Sequence, residues 1–300
     1  MLSPLEIRPE ETRPARFAID SRKDFRHIVL CTALSPCDET LLLLVRQLAL
    51  KGSFSQLTLL HACARTNQSA QQHEEQLHQM IEGLRSWGIS ASSCLIHGEP
   101  SSVILNFIRR NRVDLLLLGR QRSRLLERVH SCSIVESVLR SCVCPVLNAG
   151  PNVRTESLEH LDGPVIFATD FNDAAEDVVQ LAALYARQRD ARLHCIHVIP
   201  PVGKTSDSAT VRSIMSNTLN QLAVRSCTDQ QEFSTGILQG VDVCQSIVQY
   251  AVTNSAQAIV LAIQDAHGWS HFFAPDLTHQ VISAAPCPVI TLSSQKLREL

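Results

Sequence analysis

Short, continuous apolar runs alternate with longer stretches whose apolar residues recur at helical spacing. Residues 26–34 (RHIVLCTAL), Gln56–Cys63 (QLTLLHAC), 91–97 and 113–118 (VDLLLL) have the length and composition of strands buried on both faces. Ser35-Pro36-Cys37-Asp38 reads as a helix start, with a capping residue, proline at the first helical position and an acid in the first turn. The helix continues over 41–50 and stops at Gly52. Residues 68–87 predict a second helix, with Leu77, Met80, Ile81 and Leu84 on one face, and 101–110 a third. Strands alternating with helices imply an α/β fold with a parallel sheet and right-handed crossovers.

The pattern then repeats. Residues 148–162 (NAGPNVRTESLEHLD) are polar and read as a linker. VIFATD (165–170) repeats 28–33, and LHCIHVI (Leu193–Ile199) repeats LTLLHAC, with His197 at the place of His61. Leu238-Gln239-Gly240 repeats Ile96-His97-Gly98, and Cys287-Pro288-Val289 repeats Cys144-Pro145-Val146. Ser133 precedes Cys144 by eleven positions, as Asp276 precedes Cys287. Order and spacing together predict a duplicated domain. The expected organisation is a polar arm over 1–25, broken by Pro4, Pro9 and Pro14, a first domain over 26–149, a linker over 150–163 and a second domain over 164–295.

These features resemble the universal stress protein family. The opening strands with the Asp170 turn, the strand ends His61-Ala62 and His197-Val198, Gly98 and Gly240, and the closing Cys-Pro-Val strands carry the resemblance, twice. It implies two tandem Rossmann-like domains of the adenine nucleotide alpha hydrolase type, each a five-stranded parallel sheet of order 3-2-1-4-5 flanked by helices. It also implies pairing of the fifth strands, so the halves are expected to form an internal pseudo-dimer with Val146 and Leu147 near Ile290 and Thr291. Dimerisation of the whole chain stays open.

Many members of that family bind ATP through a G-2x-G-9x-G-(S/T) loop after strand four and an Asp at the end of strand one. Glycines let backbone approach phosphate, and the following helix N-terminus offers free N–H groups. Here the first half has Gly119, Arg122, Cys132 and Ser133 at the four loop positions, and Ala33 at the Asp position. Arg120, Arg122, Arg124 and Arg128 crowd this loop and could replace lost backbone contacts, or form a solvated, ion-paired loop. Ser133 with Glu136 also reads as a capping box for the fourth helix. The second half keeps Asp170 but has Ala262, Asp265, Pro275 and Asp276 in the loop. Asp276, at a predicted helix N-terminus, would repel phosphate. Candidate nucleotide contacts are therefore Gly119, Arg120, Arg122, Ser133 and Gly98 in the first domain and Asp170 in the second, where Asp170 also reads as a turn residue.

Composition narrows the function classes. A formal charge of −2 gives no basic field for nucleic acid. No apolar run reaches the length of a membrane span, and no secretory leader pattern opens the chain, so a cytoplasmic location is expected. The 11 cysteines are scattered through apolar segments and read as reduced core residues, Cys142-x-Cys144 included. Gly203-Lys204-Thr205 lacks the upstream glycine of a phosphate loop, Val198 standing there. Trp269, Phe272 and Phe273 read as an interaction patch or as filling of a vacated nucleotide space. His61 and His197 read as polar strand-end residues; no catalytic residue and no metal site is assigned. The expected function is a stress-response or regulatory protein acting through binding to protein partners or a ligand, with degenerate nucleotide sites and no cofactor. The alternative is an ATP- or AMP-binding switch, with slow ATP hydrolysis, in the first domain.

Overall fold

The computed structural model describes residues 25–35, 38–52, 54–63, 70–119, 128–153, 155–158, 162–201, 206–228, 231–263 and 275–293, and for 128–133, 156–157, 206–208 and 275–276 the backbone alone. The first half runs β1 (His27–Cys31), α1 (Asp38–Leu50), β2 (Gln56–Cys63), α2 (Ala70–Ser86), β3 (Ser92–His97), α3 (Pro100–Asn111), β4 (Leu115–Gly119), α4 (Arg128–Ser141) and β5 (Val146–Ala149). A one-turn helix, α5 (Thr155–Leu158), lies in the linker. The second half runs β6 (Val165–Ala168), α6 (Ala175–Gln188), β7 (Leu193–Ile199), α7 (Ser206–Ser226), β8 (Phe233–Gln239), α8 (Val243–Thr253), β9 (Ala258–Ile263), α9 (Pro275–Ala284) and β10 (Val289–Ser293).

Each half has strand order 3-2-1-4-5, all parallel, as the resemblance implied. The order stated for each half is, for the whole chain, part of a longer one, because the expected pairing of the fifth strands joins the two sheets. A single ten-stranded sheet, β3-β2-β1-β4-β5-β10-β9-β6-β7-β8, runs through both halves. β5 and β10 pair antiparallel at its centre, with Leu147 opposite Ile290 and Val146 opposite Thr291. The reason is the fifth strand itself: VLNA and VITLS are buried along their whole length, and their unpaired backbone groups would be costly at an edge.

Alternate strand residues feed two apolar layers. Leu30, Leu59, Leu117, Leu147, Phe167, Val260 and Ile290 face the layer built with α1, α2, α5, α6 and α7. Val29, Leu60, Leu116, Val146, Ile166, Ile259 and Val289 face the layer built with α3, α4, α8 and α9. Both layers cross from one half to the other, so the halves share their cores. No helix among the described residues is long and apolar enough to cross a membrane.

The linker is bound to both halves. A Cβ on Gly150 would lie 1.9 Å from the Ile282 carbonyl oxygen of α9, so the chain can pass here only without a side chain. Asn152 Nδ2 donates to the Ser283 carbonyl at 3.0 Å, satisfying an acceptor at the end of α9. Leu158 is buried, and its carbonyl accepts from Gln47 of α1. Arg189 donates to Gln47 on one side and Gln257 on the other, both at 3.0 Å, tying α6 to the first half.

Turn chemistry sets the start of α3. Gly98 has φ 157°, and a Cβ there would meet Val103 Cγ2 at 2.8 Å. Glu99 then caps the helix, accepting from the backbone N–H of Ser101 at 3.0 Å and of Ser102 at 2.7 Å. Backbone conformation and packing thus both favour glycine here.

Two predictions follow from these contacts. Gly150→Ala should destabilise the chain by about 1–3 kcal/mol, the usual range for forced overpacking, read as a lower urea midpoint at unchanged slope. The Ser102 N–H, before the other hydrogen bonds, lowers the Glu99 carboxyl from its ordinary 4.5 to about 2. A depressed folded-state value contributes stability above pH 4.5 that disappears as the pH falls to 2. The melting temperature of Glu99→Gln should therefore lie below that of the parent at pH 6, and the gap should close between pH 4.5 and 2.

Candidate functional site

In each half the first strand lies between the second and the fourth, and the helices that follow it on either side cover opposite faces. Such a reversal leaves a crevice beyond the carboxyl ends of the strands, where ligands of open α/β sheets sit. The crevices lie at the ends of β1 and β4 in one half and of β6 and β9 in the other.

In the first half the β1 turn closes on the side chain of Asp38. This carboxylate is buried and accepts from Thr32 Oγ1 at 2.7 Å, from the Ser35 N–H at 2.9 Å and from the Ala33 N–H at 3.4 Å. Thr32 Oγ1 also accepts from the Leu34 N–H at 2.9 Å, holding Leu34 at φ 53°. Asp38 reaching back to Ser35 is the reciprocal arm of a capping box. The sequence marked Asp38 only as a first-turn acid; that it collects the turn's donors was not visible until β1 and α1 were placed. Pro36 and Cys37 lie outside the described residues.

The second half repeats the turn with a different acid. Thr169 Oγ1 accepts from the Phe171 N–H at 2.9 Å, and Phe171 has φ 60°. Asp170 Oδ1 accepts from the Asn172 N–H at 3.2 Å and from Asn172 Nδ2 at 2.7 Å, and Asn172 Oδ1 takes the Ala174 N–H at 2.8 Å. These are Asx-type turn bonds that lead the chain into α6.

The histidines ending the second strands do more than face solvent. His61 Nδ1 donates to the Thr32 carbonyl at 2.9 Å, and His197 Nδ1 to the Thr169 carbonyl at 2.6 Å. Each imidazole ties its second strand to the end of the first. This bond leaves the lone pair of His61 on Nε2, a buried atom with no hydrogen-bond partner among the described residues. The His73 ring, in the first turns of α2, meets His61 edge-on at 4.7 Å, and its Nδ1 is likewise buried without a hydrogen-bond partner among the described residues. Cys63, two residues along β2 from His61 and so on the same face, has its Sγ 3.1 Å from Nδ1 of His97 on β3. One donor atom each from His61, Cys63 and His73 lie within 4.8 Å of one another. Burial, before any charge, holds His61 below its usual range, so the ring is neutral. His73 was legible in principle: the α2 stripe of Leu77, Met80 and Leu84, run back one turn, lands on it.

The other sequence-selected positions fall as follows. Gly119 ends β4 in register with Ala149. Arg120, Arg122 and Arg124 lie outside the described residues, as do Asp265, Trp269, Phe272, Phe273 and Gly203-Lys204-Thr205. α4 begins at Arg128, so Ser133 is its sixth residue. The reading of Ser133 as a helix cap is thereby corrected, because a cap must stand outside the helical backbone. Glu136 instead accepts from Arg140 one turn on, at 2.5 Å. Asp276 occupies the second position of α9. Cys142 and Cys144 are both buried, with Sγ atoms 3.5 Å apart, and burial pushes the Cys144 thiol well up.

Asp38→Ala leaves the Thr32 hydroxyl and two turn amides without their acceptor. Unsatisfied buried donors cost about 1–3 kcal/mol, so urea unfolding should show a loss of that size, with a smaller one for Asp38→Asn.

The universal stress protein family model matches residues 24–148 and 163–293. A universal stress protein of Archaeoglobus fulgidus has a solved structure that superposes with TM-score 0.67 at 19% identity, covering 89% of this chain and 98% of that one. A universal stress protein structure from Pseudomonas aeruginosa gives 0.66 at 19% identity, covering 92% and 96%. At this identity both likenesses speak to the fold. A universal stress protein of Methanocaldococcus jannaschii is 28% identical over 74 residues, which are 25% of this chain and 44% of that protein. The matched segments, one in each half and together most of the chain, make this protein a tandem member of the universal stress protein family.

Proposed function

We propose that this chain is a regulatory binding protein of the stress response, acting through association and not through turnover, with both nucleotide sites degenerate. The observation that carries the reading is the closure of the two strand-one turns by the chain's own carboxylates. In the first half Asp38 takes the donors at the end of β1. In the second, Asp170 is engaged within its turn, and Asp276 stands at the start of α9. Donors already satisfied and carboxylates already placed disfavour a polyphosphate, which carries like charge. Gly98 and Gly240 are consistent with this reading, since each is required by a contact of its own, with Val103 and with Ser246.

The test is direct. The purified chain, denatured and analysed by mass spectrometry, should release no nucleotide, and millimolar ATP-Mg should leave its melting temperature unchanged. Stoichiometric ATP or AMP would overturn the reading in favour of a nucleotide switch in the first domain. Arg122→Ala and Ser133→Ala would then be expected to lower the occupancy.

A further inference from the structure

We infer that His61, Cys63 and His73 form a binding site for a borderline transition-metal ion of the Zn(II) type, with His97 lying beside Cys63. Four observations support it. The donor types are right, since imidazole and thiolate are the ligands such ions prefer. The spacing is near that of a bound state: tetrahedral ligands at about 2.0–2.3 Å from the ion lie roughly 3.3–3.6 Å apart. The Cys63 and His97 donors are already 3.1 Å apart, and those of His61, Cys63 and His73 are within 4.8 Å of one another.

Two of the nitrogens also lack hydrogen bonds. Among the described residues, His61 Nε2 and His73 Nδ1 are buried without hydrogen-bond partners, on rings in edge-on contact. Native structures rarely leave buried polar atoms unpaired, and each exception calls for a reason. A shared cation supplies one for both. Finally, the outer support is in place. The bond from His61 Nδ1 to the Thr32 carbonyl is the arrangement that fixes the tautomer and aim of a metal-bound histidine.

The second half provides an internal comparison. His197 keeps the bond to its strand-one carbonyl, but Phe171 packs 4.6 Å from its ring. Ile199 stands at the position of Cys63, and Gln239, opposite it on β8, at that of His97. The strand-end histidine alone is thus a structural tie common to both halves, and among the described residues the added donors belong to the first. On binding, the Cys63 thiol releases its proton to solvent and the thiolate bonds the ion; no electron is transferred.

The whole chain, stripped with a chelator, should bind one equivalent of Zn(II) by calorimetry, and Co(II) should give a thiolate-to-metal charge-transfer band. That band should vanish in Cys63→Ser and persist in Cys142→Ala. His73→Ala should weaken Zn(II) binding at least tenfold; His73 is half-buried on an early helical turn, so this variant tests the site even if Cys63→Ser does not fold. Absence of saturable binding, a band that survives Cys63→Ser, or unchanged affinity in His73→Ala would overturn the assignment.

Discussion

The antiparallel pairing of β5 with β10 is the constraint on which the rest of the molecule depends. A parallel five-stranded sheet of order 3-2-1-4-5 ends on one side in its fifth strand. In this chain that strand is apolar on both faces, so it can be neither solvated nor left open. Pairing the two fifth strands satisfies their backbone groups and makes each apolar layer continuous across the molecule. The linker, Arg189 and the Gly150 passage are adjustments around that seam. Only β3 and β8 are left as edges, and both carry polar and partly exposed positions.

Much of this was legible in the sequence because the signals were local and repeated. Continuous apolar runs marked the strands, the second copy repeated their order, and the family resemblance implied the pairing of Val146 and Leu147 with Ile290 and Thr291, where the sheet has them. The residue-by-residue register of that seam was less visible, since pairing between distant segments leaves no periodicity. Ser133 misled for a related reason. The pattern Ser-x-x-Glu matches a cap locally, but RVHSC ahead of it is helical, and no short motif reports where a helix has already begun.

The site was harder to read than the fold. His61 and Cys63 could be placed on one strand face by counting, but His73 and His97 arrive from α2 and β3, some ten and thirty-odd residues away. Their convergence is a property of the crossover geometry. Asp38 shows the same limit. An acid in a first helical turn is ordinary by sequence, and only the path of β1 reveals that it closes the turn by taking its donors.

The two halves thus keep one scaffold and differ at their strand ends, and the seam explains how that difference is tolerated. Association of separate identical subunits depends on concentration and forces both copies to carry every substitution. Joining the partners through 150–163 makes their encounter intramolecular, at an effective concentration set by the tether. The assembly then does not loosen on dilution, and each half is free to specialise without its twin. Phe171 and Ile199 beside one histidine, with Cys63 and His73 beside the other, are what such independence permits: a dimer in architecture whose two ends need not do the same work.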